Sequence, residues 1–169
     1  MEIGFRPLDR ADLPLVLEWL GREHVARWWD EDATTIEQVE AKYLPAIEGR
    51  EPVAMFVIVV DDRDAGWIQT YHVADFPESW PYDVGEGAAG MDLAIGAPEL
   101  VGRGIGPAVI RAFVDEVMFA DPAVTACVAD PDVRNRRSVR AFEKAGFTTV
   151  GTMQLDGAAA PQAVVRYRR

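Results

Sequence analysis

The chain has 169 residues, 49% of them apolar, which suits a single domain over residues 1–169 and excludes a disordered or fibrous chain. Seventeen basic against 28 acidic side chains leave a net charge of −11. That balance argues against nucleic acid and anionic membrane as partners, because both demand a basic face.

The elements follow in chain order. Ile3–Leu8 reads as a short strand. A helix follows from about Asp12 to Gly21, with Pro14 in its first turn and Leu13, Val16, Leu17 and Leu20 on one face. The segment Glu23–Asp32 carries the pair Trp28–Trp29. Thr34-x-x-Glu37 predicts a capping box for a helix ending at Gly49, with Val39, Tyr43, Leu44 and Ile47 as its stripe. The β-branched run Val53–Val60 predicts a central strand, and Asp61–Gly66 a turn into a returning strand, Trp67–Val73. Ala74–Gly90 is a long loop rich in Pro, Gly and acid, with Trp80 and Tyr82; loops of this length in compact domains are usually functional. Met91–Ile95 is a strand. A helix follows from about Ile105 to Phe119, then a strand Val124–Val128, a helix Arg134–Ala145 closed by Gly146, and a strand pair Phe147–Met153 and Ala163–Tyr167 around Asp156–Gly157. The order β-α-α-β-β-β-α-β-α-β-β predicts an α/β fold with a mixed sheet.

Cys127 is the sole cysteine, which rules out an internal disulfide framework and suits a reducing compartment. The start MEIGFRPLDR has no apolar signal core, and no run approaches the roughly 18 apolar residues of a membrane span. A cytoplasmic location is the expectation.

The most specific local pattern is Val101-Gly-Arg-Gly-Ile-Gly106 between a strand and a helix. Glycines permit a tight turn and close approach of backbone N–H groups to a ligand. The helix start adds unpaired donors and a positive dipole end, so a phosphate is favoured there, and Arg103 can add a charged contact. The same glycines also serve as a plain tight connection. No Lys-Ser/Thr pair follows, so this is not a Walker loop, and no strand with an acidic end about 20 residues on supports a dinucleotide fold.

With Asn135 and Glu143-Lys-Ala-Gly-Phe147 following in order, Gly90–Phe147 resembles the GNAT superfamily of N-acetyltransferases. Val101 stands where those enzymes usually have Gln or Arg. The resemblance implies a GNAT fold: a mixed, mostly antiparallel central sheet flanked by helices, its splayed central strands holding acetyl-CoA as co-substrate with no metal. It implies cofactor contacts from Leu93, Ala94, Ile95, Val101, Gly102, Arg103, Gly104, Ile105, Gly106, Asn135 and Ser138.

Over nearly the whole chain, Glu18-Trp-Leu, His24, Trp28-Trp29, Tyr43-Leu-Pro45, Gln69-Thr-Tyr71, Trp80, Gly90-Met-Asp92, Ala129-Asp-Pro131 and Asp156-Gly157 look like the aminoglycoside 6′-N-acetyltransferases, which confer antibiotic resistance. The resemblance implies Asp92 and Asp130 as catalytic carboxylates. It implies Trp29, Tyr43, Gln69, Tyr71, Trp80, Asp92, Asp130 and Asp156 as contacts for a small polycationic substrate. The chemistry agrees: ammonium groups take carboxylate partners, and sugar rings take flat aromatic surfaces. Each residue also has a plainer use. Asp92 can face water on a strand, Asp130 can close a turn, Trp28 and Trp29 can pack, His24 can bond a helix end, and Cys127 can fill the core.

The expected reaction is direct transfer in a ternary complex, with Asp92 as base, Asp130 as second choice, and backbone N–H groups near Leu93 and Ala94 stabilising the oxyanion. Many relatives use a Tyr as acid where this chain has Phe142. The rivals are a siderophore-type hydroxylysine N-acyltransferase, which usually has His in place of Asp92, a protein N-terminal acetyltransferase, a non-catalytic CoA-binding module and a structural interaction domain. Monomer and homodimer are equally compatible with the sequence.

Overall fold

A computed structural model describes residues 1–29 and 33–169. The expected Glu23–Asp32 segment therefore extends past the described residues at 30–32. Seven strands form a mixed, mostly antiparallel sheet in the order β1-β2-β3-β4-β5-β7-β6, flanked by helices. The chain divides into two compact units, Met1–Gln69 with Asp92–Arg103, and Thr70–Met91 with Gly104–Arg169.

In the first unit, β1 (Ile3–Pro7) pairs antiparallel with β2 (Val53–Val60), from Ile3↔Val60 to Pro7↔Phe56. β2 has the bounds its apolar run predicts, but it lies one strand from the sheet edge and is not central. Cover from both faces, which buries Met55, Val57, Ile58 and Val60, explains a continuous apolar run at that position. The turn into β3 (Arg63–His72) is tighter than Asp61–Gly66. Asp61 and Asp62 both take positive φ, 47° and 60°, as a two-residue hairpin requires, so β3 starts before Trp67.

Helix α1 (Leu13–Leu20) buries Leu13, Val16, Trp19 and Leu20, with Leu17 at the edge of the stripe. A short turn, α2 (Glu23–Ala26), follows. Helix α3 (Ile36–Ile47) is capped one residue later than Thr34-x-x-Glu37 suggests. Thr35 accepts from Gln38 N at 3.4 Å, and Gln38 Oε1 accepts from Thr35 N at 3.0 Å. Both registers carry the capping pattern; the Gln38 amide also reaches Thr34 N at 2.8 Å, which favours the later one. Val39 and Tyr43 of α3 pack with Trp19, Val57, Trp67 and Ala94. Trp67 is the hub, stacked on Trp19 at 5.9 Å and met edge-on by Trp29 at 4.9 Å. Each large side chain so buried contributes about 1.5–3 kcal/mol.

In the second unit, β4 (Ala88–Ile95) pairs in parallel with β5 (Ala126–Ala129) from Ala88↔Ala126 to Gly90↔Val128. β4 thus starts inside the expected Ala74–Gly90 loop, because small buried residues mimic loop composition there. Helix α4 (Ile105–Glu116) buries Ile105, Val109, Ile110, Phe113 and Val114, and gives way to a 3-10 turn, Met118–Ala120. Helix α5 (Arg136–Lys144) starts later than Arg134, because Asn135 Oδ1 caps it by accepting from Ser138 N at 3.2 Å. β6 (Thr148–Met153) and β7 (Gln162–Arg168) close the chain as an antiparallel pair with an irregularity between Thr149 and Gly151. None of the described helices is long and apolar enough to cross a membrane.

Candidate active site

The first unit holds the expected base. Asp92 lies on β4 and is half-buried. Gln69 Nε2 on β3 donates to its Oδ2 at 2.9 Å. Loss of hydration pushes the Asp92 carboxyl above the usual carboxylate range, and the Gln69 bond and the Lys42 charge oppose that shift without cancelling it. Although the residue keeps some contact with solvent, its carboxyl group is set deeply enough for desolvation to prevail. A carboxylate held by a neutral amide is short of positive charge and poised to take a cation or a proton.

Leu93 and Ile95 are half-buried beside it, and Ala94 is buried in the Trp67 cluster. His24 Nε2 bonds the Ile95 carbonyl oxygen at 2.9 Å, so His24 pins the strand end, its plainer use. Tyr43 is buried in the α3 face of the core, and Trp29 is half-buried against Trp67. Val101 is half-buried, whereas Gly102 and Arg103 are exposed.

The chain turns at Gly102 and Gly104, with φ of 80° and 78°, a region that residues with a side chain rarely enter. Nothing lies within 4 Å of where a Cβ would be at either position. Gly104 is the N-cap of α4 and offers no side chain to its first turn, so among the described residues the N-cap gives the first N–H groups no side-chain acceptor. An open glycine turn before a twelve-residue helix fits a phosphate-bearing group.

The second unit holds Tyr71, Trp80 and Tyr82. Trp80 is buried, and its Nε1 donates to the Tyr71 hydroxyl at 3.2 Å. Tyr71 lies against the Gly90 backbone, where any Cβ would overlap its ring. The Tyr82 hydroxyl donates to the Val150 carbonyl at 2.9 Å. A cavity of about 270 Å³ opens among His72, Pro77, Trp80, Tyr82, Asp83 and Val84. Asp130 is half-buried just past β5, and Asp156 is exposed in its turn. Ser138 is half-buried on the first turn of α5, its N–H engaged by Asn135. Phe142 is buried edge-on to Phe147 at 5.1 Å and has no hydroxyl to act as an acid. Burial pushes the Cys127 thiol up to about 12, so it is no nucleophile at neutral pH.

Two features escape sequence reading. One is Lys42, whose charge bears on Asp92. The other is a basic band on α5. Residues 133–145 carry five basic side chains and a single acid, in a chain of net charge −11. Arg134 is neutralised by Asp132 at 2.7 Å. Among the described residues, Arg136, Arg137 and Arg140 form no ion pair, and the first two stand at the positive end of the helix dipole, which disfavours them in the free protein. Ala141 of α5 lies 3.4 Å from where a Cβ would be on Gly106, so the band flanks the start of α4. The charge runs were the available sign.

Residues 9–155 match the acetyltransferase (GNAT) domain family. The aminoglycoside N(6′)-acetyltransferase type 1 of Klebsiella pneumoniae is 32% identical over 154 residues, covering 89% of this chain and 76% of that protein. The lysine N-acyltransferase MbtK of Mycolicibacterium paratuberculosis is 29% identical over 149 residues, 83% of this chain and 63% of that protein. Among solved structures, AAC(6′)-Ib in complex with ribostamycin and coenzyme A superposes with a TM-score of 0.90 at 29% identity, covering 100% of this chain and 94% of that one. With its fold, its glycine turn and its sequence in agreement, this chain belongs to the GNAT acetyltransferase family.

Proposed function

We propose that the protein transfers the acetyl group of acetyl-CoA to the 6′-amine of an aminoglycoside in a ternary complex, conferring resistance to the antibiotic. The observation that carries this reading is Asp92, a desolvated carboxylate on β4 with a neutral amide as its hydrogen-bond partner. Such a group attracts an ammonium ion, and its upward shift favours acceptance of a proton from it. The Klebsiella relative and the ribostamycin complex support the choice of aminoglycoside over lysine. Gln69 in the first unit and, separately, Tyr71 and Trp80 in the second are the polar and aromatic residues of the kind that aminosugars require, whereas Tyr43 and Trp29 pack in the core of the first unit.

Acetyl-CoA, when bound, supplies the thioester as electrophile. The backbone at Gly102–Gly106 would hold its pyrophosphate, and Asn135 and Ser138 would flank the pantetheine arm. Arg136, Arg137 and Arg140 offset the four or so negative charges of such a ligand, which a strongly acidic protein would otherwise repel. Asp92 takes a proton from the substrate ammonium, directly or through water, leaving a neutral amine to attack. Backbone N–H groups at Leu93 and Ala94 face the oxygen on which charge develops. Asp130 and Asp156 hold further ammonium groups of the substrate. The thiolate leaves without a side-chain acid at Phe142, as its modest basicity permits.

The test is acetylation by the purified chain of kanamycin, ribostamycin and a lysine derivative, with the product mapped by NMR. A 6′-N-acetyl aminoglycoside is the expected product. Acylation of the lysine derivative with aminoglycosides left intact would overturn the reading.

A further inference from the structure

The Asp92 carboxyl is held at one point. Gln69 on β3 donates from Nε2 to Asp92 Oδ2 at 2.9 Å, and among the described residues this is the carboxyl's only hydrogen bond. β3 and β4 are neighbours in the sheet, so the bond crosses from strand to strand. An ionised carboxylate can only accept, so the amide must turn its NH2 group towards it. Gln69 is half-buried, and two residues earlier on the same side of β3 stands Trp67, fully buried, stacked on Trp19 at 5.9 Å and met edge-on by Trp29 at 4.9 Å. The donor therefore sits on a strand that packing holds still. A neutral donor also separates two effects that an arginine combines. The Arg6 guanidinium both orients Asp12 and neutralises it. An amide fixes one oxygen and leaves the negative charge for a cation.

We propose that Gln69 is a positioning residue for the acetyl transfer: its amide fixes the Asp92 carboxylate through Oδ2, so that Oδ1 is the oxygen that receives the substrate ammonium and its proton. The inference rests on the reading that Asp92 is the base. It gives Gln69 a role through Asp92, distinct from the direct substrate contact that the resemblance implies. In the transfer an N–H bond of the ammonium breaks and an O–H bond forms at Oδ1, while the Gln69 N–H stays on Oδ2 and steadies the carboxyl in both protonation states. Without that bond the carboxylate turns about its soft terminal torsion. Productive alignment becomes rarer, although the charge that attracts the substrate remains.

The experiment measures kcat and the KM of kanamycin for the wild type, Q69L and Q69E, and titrates the Asp92 side-chain carboxyl in each by ¹³C NMR. In Q69L, assayed above the midpoint, kcat falls by about tenfold or more while KM stays within about twofold, the split expected when orientation is lost and charge is kept. The Asp92 midpoint moves to higher pH by about one unit, because the lost bond favoured the ionised form. In Q69E it moves further the same way, because two adjacent carboxyls resist a second negative charge. Lys42, the charged group whose field reaches Asp92, is present in all three proteins. A raised KM with kcat and midpoint unchanged makes Gln69 a substrate contact alone. A lowered melting temperature with kcat and midpoint unchanged makes it merely structural. Either result overturns the inference, and Q69M replaces Q69L if the latter does not fold. D92N tests the parent reading separately. Normal turnover in D92N removes the base assignment and the role of Gln69 with it, whereas an inactive D92N beside an unmoved Q69L midpoint removes the Gln69 assignment alone.

Discussion

The first unit contains two carboxylates of one residue type in opposite surroundings. Asp12, just before α1, accepts both Arg6 guanidinium nitrogens at 2.8 and 2.9 Å and the Asp9 N–H at 3.0 Å. Arg6 also reaches Asp64 at 2.8 Å. The guanidinium holds Asp12 below the usual carboxylate range. Asp92 accepts one amide N–H from Gln69, and burial holds it above that range against the charge of Lys42. The contrast separates a charge that completes the fold from one left undersupplied. A carboxylate saturated by arginine has nothing to offer a ligand, whereas Asp92 can still gain a cation.

The sharpest way to break the comparison is to neutralise each acid. D92N is expected to lose turnover by about 10²–10⁴-fold, the range of a removed base. Its folding stability should move the other way. A carboxyl whose folded pKa is raised has a stabilising contribution that is full at low pH and lost as pH rises through the folded value, so Asp92 weakens the fold at neutral pH. D92N therefore melts higher than wild type at pH 7 by calorimetry, and the gain vanishes in acid.

Gly90→Ala carries the comparison to the aromatic wall. Its methyl group overlaps the Tyr71 ring, which Trp80 anchors, so the substrate KM should rise by about tenfold or more with a smaller change in the KM of acetyl-CoA. D12N is the mirror of D92N. It should cost about 1–2 kcal/mol, a figure moderated by the 38% exposure of Arg6, and leave turnover unchanged. The Asp12 contribution is present above the unfolded carboxylate pKa and lost as pH falls through its lower folded value. Denaturant melts of D12N and wild type should therefore differ at pH 7 and converge in acid. The smallest effect is expected at Cys127. Iodoacetamide at pH 7.5 should leave activity and mass unchanged, because the thiol is buried and protonated.

Much of this was legible in the residue pattern, and the misses have physical causes. β2 shows its exact bounds because a doubly covered strand is continuously apolar. The glycine turn and the start of α4 are legible because positive φ and helix entry leave compositional marks. The α3 cap slips by one residue because Thr34 and Thr35 both satisfy the pattern, and only the Gln38 geometry decides. β4 loses its first three residues to the loop because Ala-Ala-Gly carries no strand propensity, although Gly90 is needed for Tyr71 to lie flat. Trp19 is missing from the α1 stripe because its place is decided by stacking on Trp67 across the core. Asp92 can be nominated from its strand, but its raised basicity cannot, since that arises from burial by residues remote in sequence, against the opposing pull of Gln69 and Lys42.

The most direct measurement is turnover of kanamycin by D92N from pH 5.5 to 9, paired with its melting temperature at each pH. The account predicts a protein that is inactive at every pH yet more heat-stable than wild type near neutrality. A D92N enzyme with wild-type turnover, or one that is inactive only because it no longer folds, would contradict it.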